Sequence, residues 1–291
     1  MSIIPNQLFL YLLLASVIAL GGGLLFLYVR KLSTVLERWG VPFAAGTMII
    51  TALVGLLPEA NHLLGASSFA VFAVAFVCTF VFEQLLTQLH HHDHSEHSQG
   101  STLQSSVPMV LIGDTIHNLI DGVAIATAYL VNPGLAFATA VSTFLHEVPH
   151  EIGDFSILLK AGWKRGSIVL INIVSALSTL LGGVLVYQFS IGEVVQGYLL
   201  AITAGIFFYL GAIDFLPHAF EKKEGENWQQ SLRGVIPVLA GAVIMLGTLG
   251  LVPHSHDHGY DHVEERIHDE HEEPDHDEPD GLHHDEAQEG P

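Results

Sequence analysis

Apolar residues fall in runs of about twenty along most of this chain, with short polar breaks between them. A bilayer core about 30 Å thick needs roughly 20 apolar residues for one helical crossing. On that measure the runs predict spans over about 8–29, 41–60, 67–87, 167–189, 195–218 and 234–252. Two more runs, about 107–131 and 134–160, have the right length but are interrupted by His, Asp and Glu. The expectation is an all-α membrane protein of eight transmembrane helices, since lipid-exposed backbone must satisfy its own hydrogen bonds. The first run has no basic residues before it and continues through Gly21, Gly22 and Gly23 to Val29. It therefore reads as a spanning helix and not as a cleaved leader.

The ten Lys and Arg residues orient these spans. Arg30, Lys31 and Arg38 lie between spans 1 and 2; Lys160, Lys164 and Arg165 between spans 5 and 6; Lys222, Lys223 and Arg233 between spans 7 and 8. All nine fall on one side, which the positive-inside rule assigns to the cytoplasm. The expected protein is a multi-pass component of the cell membrane with both termini outside the cytoplasm.

Composition agrees and adds one feature. Half the residues are hydrophobic and 14% are charged, against about 25% in a soluble domain. Of 30 acidic residues, 15 lie from His254 onward, together with nine His and one Arg. The expected division is a transmembrane domain over 1–252 and an acidic, His-rich, disordered tail over 253–291. Inside the first, a cytoplasmic loop over 88–106 carries His90, His91, His92, His94 and His97 as an auxiliary metal-binding segment, disordered without metal. No basic patch suits nucleic acid. No phosphate-binding loop suits a nucleotide. Cys78, the sole cysteine, excludes a disulfide framework.

The chemistry sits on the two interrupted runs. Span 4 carries Asp114, His117, Asn118 and Asp121; span 5 carries His146, Glu147, Pro149, His150, Glu151 and Asp154. At about 2.5–3.5 kcal/mol each, five carboxylates facing lipid would cost on the order of 12–17 kcal/mol, so they must face the bundle interior. His117 and Asp121 are four residues apart, as are His146 and His150, so each pair shares a helix face. Asn132-Pro133-Gly134 predicts a tight turn that makes the two helices antiparallel neighbours. Folding there sets His117 level with Pro149, and Asp121 beside His146. The converging imidazoles and carboxylates suit Zn²⁺ or another divalent transition metal near the membrane midplane. Pro149 is expected to kink span 5 and free the Leu145 carbonyl.

A faint internal repeat surrounds this pair. Leu57-Pro58-Glu59-Ala60 closes span 2 and Leu216-Pro217-His218-Ala219 closes span 7; spans 1 and 6 share Gly22-Gly23 and Gly182-Gly183. With spans 2 and 7 running in opposite directions, this suggests an inverted 3+2+3 arrangement with the site between helices 4 and 5.

His117-Asn118-Leu119-Ile120-Asp121-Gly122 and His146-Glu147-Val148-Pro149-His150-Glu151-Ile152-Gly153-Asp154 resemble the signatures of ZIP (Zrt-, Irt-like) metal transporters, the longer one in its HExPHExGD form. The resemblance implies movement of divalent metal toward the cytosol and no catalytic cofactor. The cargo would be Zn²⁺, with Fe²⁺, Mn²⁺ and Cd²⁺ as further candidates. It also implies a homodimer and a binuclear site: His117, Asp121, His146 and His150 for one ion, and Asn118, Asp121, Glu147 and His150 for the other. This chain has His146 where some relatives carry Gln, His150 where some carry Glu, and Ser175 where some supply a further Glu.

His146-Glu147-Val148-Pro149-His150 also fits the zinc-protease pattern H-E-x-x-H, so an intramembrane metalloprotease is the alternative. Pro149 inside the motif and the second ligand pair on span 4 weigh against it. Glu59 and His62 at the outer end of span 2 are candidates for metal entry, and Asp214 and His218 at the inner end of span 7 for release. Asp114 and Asp154 complete the candidate pathway, and Glu151, in the row beside the histidines, is a further candidate metal ligand.

Overall fold

The computed structural model describes residues 4–28, 36–91, 99–218, 220 and 234–252. Among the described residues every regular element is helical. Helix α1 comprises Asn6–Leu13, a π-helical turn Leu14–Ile18, and Ala19–Tyr28. Helix α2 comprises a π-turn Leu36–Gly40, then Val41–Ile50, a second π-turn Thr51–Leu56, and Leu57–Leu64. Then come α3 (Ser67–His91), α4 (Gln99–Val131), α5 (Pro133–Lys160) and α6 (Arg165–Gln188). Helix α7 comprises Glu193–Tyr209, a π-turn Leu210–Phe215 and Leu216–His218; α8 is Val235–Gly250.

Six of these helices are long and apolar enough to cross a membrane: Asn6–Leu24, Arg38–Leu64, Ser67–Leu85, Val107–Val131, Arg165–Gln188 and Glu193–Phe215. Helix α5 has 28 residues but carries the carboxylates, and the apolar α8 has 16. The exterior is apolar: Leu10, Val74, Leu170 and Val243 are all more than 60% exposed. Asp114, Asp121, His146, Glu147 and Glu151 are at most 3% exposed. This inverts the usual arrangement in water, where an exposed apolar surface of that extent does not persist. The chain is a multi-pass membrane protein.

Three of the four π-turns have one cause. Each stands directly before a short apolar-Pro sequence: Val41-Pro42, Leu57-Pro58 and Leu216-Pro217. Proline lacks an N–H and its ring collides with the carbonyl four residues back; widening the preceding turn relieves that collision. In the fourth, the Ser16 hydroxyl donates to the Leu12 carbonyl at 2.6 Å, competing with the helix's own ladder. The Leu-Pro motifs of spans 2 and 7 thus share a six-residue π-turn as well as their Leu, Pro and Ala residues.

Packing follows the small residues, as it does where no hydrophobic effect drives helices together. A Cβ on Gly122 of α4 would meet the Thr179 carbonyl of α6, and a Cβ on Gly182 of α6 would meet the Leu119 carbonyl of α4. The same reciprocity joins α2 and α8, where Gly46 faces the Val238 carbonyl and Gly241 the Phe43 carbonyl. Gly22 and Gly23 of α1 lie against Val148, Glu151 and Phe155 of α5. Helix α4 packs on α6 and α5 on α1; α2 packs on α8 and α7 on α3. These pairs exchange into one another if α1–α3 are swapped with α6–α8 and α4 with α5.

The turn between α4 and α5 is as expected. Asn132 Oδ1 accepts from the Gly134 N–H at 2.7 Å and the Leu135 N–H at 3.3 Å, with Pro133 in the first helical position, a strong N-cap. Helix α5 continues without a break through the buried Pro149. The inner loop expected over 88–106 is corrected at both ends. Helix α3 runs on to His91 and α4 begins at Gln99, because Gln84, Leu85, Gln88 and Leu89 are good helix formers that extend the span. His92, His94, His97 and the tail from 253 lie outside the described residues, as do the side chains of His90, His91 and His218.

Candidate metal centre

Antiparallel pairing about Pro133 sets the register of the site. It places residue 147 opposite 119, midway between His117 and Asp121, and residue 150 opposite 116, between His117 and Asp114. The side chains group accordingly. His117, Asp121, His146 and Glu147 bring one ligand atom each to within 4.8 Å of one another. His117 Nε2 lies 3.1 Å from Glu147 Oε1 and 3.8 Å from Asp121 Oδ2. His146 Nε2 lies 3.2 Å from Asp121 Oδ2 and 3.7 Å from Glu147 Oε1. Nitrogen and oxygen thus alternate around a closed four-atom ring.

Four ligands at about 2.0–2.1 Å from a tetrahedral zinc stand about 3.3 Å apart, and the ring edges fall around that value. His117 Nε2 and Glu147 Oε1 are buried and make no hydrogen bond despite their closeness. Buried polar atoms left without a bond are costly unless something else satisfies them. These two atoms converge without bonding each other, as ligands around a common centre do, while His146 Nε2 and Asp121 Oδ2 lie within hydrogen-bond distance.

The supports were not visible in the sequence. His146 Nδ1 lies 2.9 Å from the Ser142 carbonyl oxygen. A carbonyl only accepts, so Nδ1 carries the proton and Nε2 is presented to the ring, the usual way a ligating imidazole is oriented. Asn118 Nδ2 donates to Asp114 Oδ1 at 2.8 Å, while Asn118 Oδ1 accepts from the Thr179 hydroxyl at 2.9 Å. Phe207 of α7 stands edge-on to the His146 ring with centroids 5.5 Å apart, forming a dry wall. Ser142 contributes through its backbone, and Thr179 and Phe207 belong to residue types common in any span; no spacing signals them.

The remaining candidates sort by distance from this ring. His150 does not join it, in contrast to the grouping that the family resemblance implies. One helical turn beyond His146, its Nδ1 lies 3.8 Å from Asp154 Oδ2 and 4.0 Å from Asp114 Oδ1, and these three form a second group. Asp114, Glu147 and Glu151 form a third. The His117 ring stacks on His150 at 5.0 Å and meets His146 edge-on at 5.3 Å. Asn118 is engaged at both ends of its amide, by Asp114 and Thr179. Ser175 is buried, its hydroxyl donating to Thr115 Oγ1 at 3.4 Å, and supplies no carboxylate. Glu59 is half-buried and His62 exposed on Leu57–Leu64; with the half-buried Asp214 they stand outside all three groups.

The model of a family described as "ZIP Zinc transporter" matches residues 90–249, more than half of the chain. "Zinc transporter foi" of Drosophila melanogaster is 34% identical over 177 residues, covering 56% of this chain and 24% of that protein. "Zinc transporter ZIP4" of Homo sapiens is 32% identical over 138 residues, covering 47% of this chain and 21% of that protein. "Zinc transporter ZIP10" of Homo sapiens is 34% identical over 175 residues, covering 56% and 20%. The matched region thus spans between a fifth and a quarter of each of these relatives.

Proposed function

The chain belongs to the ZIP zinc transporter family, and from that premise we propose that it moves divalent transition-metal ions, zinc foremost, across the cell membrane toward the cytoplasm. The observation that carries this reading is the alternating ring of His117, Asp121, His146 and Glu147, with edges of 3.1–3.8 Å, buried between two antiparallel helices. Two nitrogens and two oxygens suit Zn²⁺ and admit Fe²⁺, Mn²⁺ and Cd²⁺, since ligand type alone separates these ions weakly.

The architecture proposed for this task is eight spanning helices in an inverted 3+2+3 repeat, with both termini outside. Helices α5 and α8 complete the six apolar ones. The exchange of packing pairs and the two π-turns before Leu-Pro support the repeat. Helices α1, α4, α5 and α6 pack with one another, and α2 packs with α3, α7 and α8, while α5 on α2 and α4 on α7 join the two groups. Displacement of one group against the other would open the site to each side in turn. Glu59 and His62 serve entry, Asp214 and His218 release; the His-rich inner loop receives the ion on the cytoplasmic side, and a homodimer is the proposed assembly.

The protease reading finds less support. H-E-x-x-H works when both imidazoles bind one zinc, yet His146 and His150 enter different ligand groups. Proteoliposomes containing the protein should accumulate zinc saturably, without nucleotide. Tight zinc binding with no accumulation, together with cleavage of membrane peptides, would replace transport by proteolysis.

A further inference from the structure

Resting on that reading of the central ring, we propose that Glu147 and Asp114 are shared ligands that join three overlapping cation stations into a relay along α5. The first station is the ring of His117, Asp121, His146 and Glu147. The second is Asp114, Glu147 and Glu151; the third is Asp114, His150 and Asp154. Within each group the ligand atoms lie within 4.8 Å of one another. Consecutive stations have one side chain in common, Glu147 between the first two and Asp114 between the last two.

A row of carboxylates alone would not make a path. Here two of them are buried and left open. Asp114 is 3% and Glu151 1% exposed, and Asp114 Oδ2 and Glu151 Oε2 have no hydrogen-bond partner. Asp114 Oδ1 is held by the Asn118 amide at 2.8 Å, so the side chain is fixed by one oxygen and offers the other. Asn118 is itself held by Thr179, which ties the middle station to α6. A buried carboxylate oxygen left unbonded is a costly feature for a fold to retain, and five carboxylates in two helices exceed what a four-ligand site needs.

The ligand chemistry gives the relay a direction. The first station has two imidazoles, the second none, and the third one. Transition-metal ions prefer the nitrogen-rich set, while an all-oxygen set holds them less tightly. The ion therefore passes from a tight site through a weak one while always keeping one carboxylate bound, so it never has to lose every ligand at once. The third station is the most open of the three: its His150 side chain is 28% and its Asp154 side chain 12% exposed, while the second station is almost fully buried. The line runs toward Lys160, the end of α5 that the charge bias assigns to the cytoplasm.

The test uses the full chain in proteoliposomes and a thiolate reporter. In a Cys78→Ser background, since Cys78 is exposed and outside the three groups, Asp154→Cys should give a thiolate-to-cadmium charge-transfer absorption on adding Cd²⁺. The Cys78→Ser protein alone should give none. Asp154→Asn and Asp114→Asn should each lower maximal zinc uptake by at least about tenfold, while Asp154→Asn keeps the tightly held zinc that His146→Ala loses. Retention of that zinc shows that the variant is folded. Absence of the absorption in a protein that still binds zinc, or undiminished uptake in both variants, would overturn the relay. If the unaltered protein does not transport at all, the transport reading fails separately, and the absorption still reports whether the third station takes a cation.

Discussion

His146 Nε2 lies 3.2 Å from Asp121 Oδ2 across the interface of α4 and α5, and its other ring nitrogen is fixed at 2.9 Å by the Ser142 carbonyl. A residue four positions earlier on the same helix thereby decides which nitrogen faces the opposite helix. Nitrogen NMR of zinc-loaded protein labelled at histidine should show His146 protonated at Nδ1 and metallated at Nε2. The reverse assignment would remove the proposed role of Ser142.

Thr179 donates to Asn118, which in turn holds Asp114 of the second and third stations. Thr179→Val should therefore lower maximal zinc uptake by about tenfold while the zinc on the central ring is kept. Thr179→Ser should restore uptake. Transport into proteoliposomes measures both, and equal rates in all three proteins would show that the Asn118 amide needs no anchor.

The contact of α4 with α6 makes its own prediction. An alanine at Gly122 drives a methyl group into the Thr179 carbonyl, whereas one at Gly113 meets nothing within 4 Å. Gly122→Ala should cost about 1–3 kcal/mol, as overpacking does. Gly113→Ala should be neutral or stabilise by up to about 1 kcal/mol through helix propensity. Thermal unfolding in detergent separates them, and equal melting temperatures would contradict the packing described.

Much of this was legible in the chain, for identifiable reasons. Asn132-Pro133-Gly134 fixes the turn, and the turn fixes the register, so Asp121 falls beside His146 by counting alone. The same count places Glu147 between His117 and Asp121. His117 and Asp121, and likewise His146 and His150, attract attention as pairs four apart, whereas Glu147 is recognised through its level on the neighbouring helix. The separation of His150 toward Asp154 depends on side-chain reach, which spacing does not encode. The hydroxyl of Thr179 and the carbonyl of Ser142 carry no signal at all, and the π-turns are visible in sequence only as prolines. Helix propensity carries α3 and α4 beyond the apolar limits used to place the inner loop.

Acid should release the metal. Imidazole ligates only in its neutral form, so protons compete with zinc for His117, His146 and His150. Lowering the pH from about 7.5 to about 5.5 should lower zinc affinity, and returning to the higher pH should recover it. Equilibrium dialysis at matched ionic strength checks this. Affinity unchanged over that range would mean that carboxylates alone hold the ion.

The most direct test of the central claim is uptake of radiolabelled zinc into proteoliposomes, comparing the unaltered protein with His146→Ala at matched reconstitution. Saturable uptake in the first and its loss in the second is the expected result, because the variant opens the four-membered ring and leaves Asp121 facing an empty position. Equal uptake by both proteins would contradict a transport path through the ring on α4 and α5.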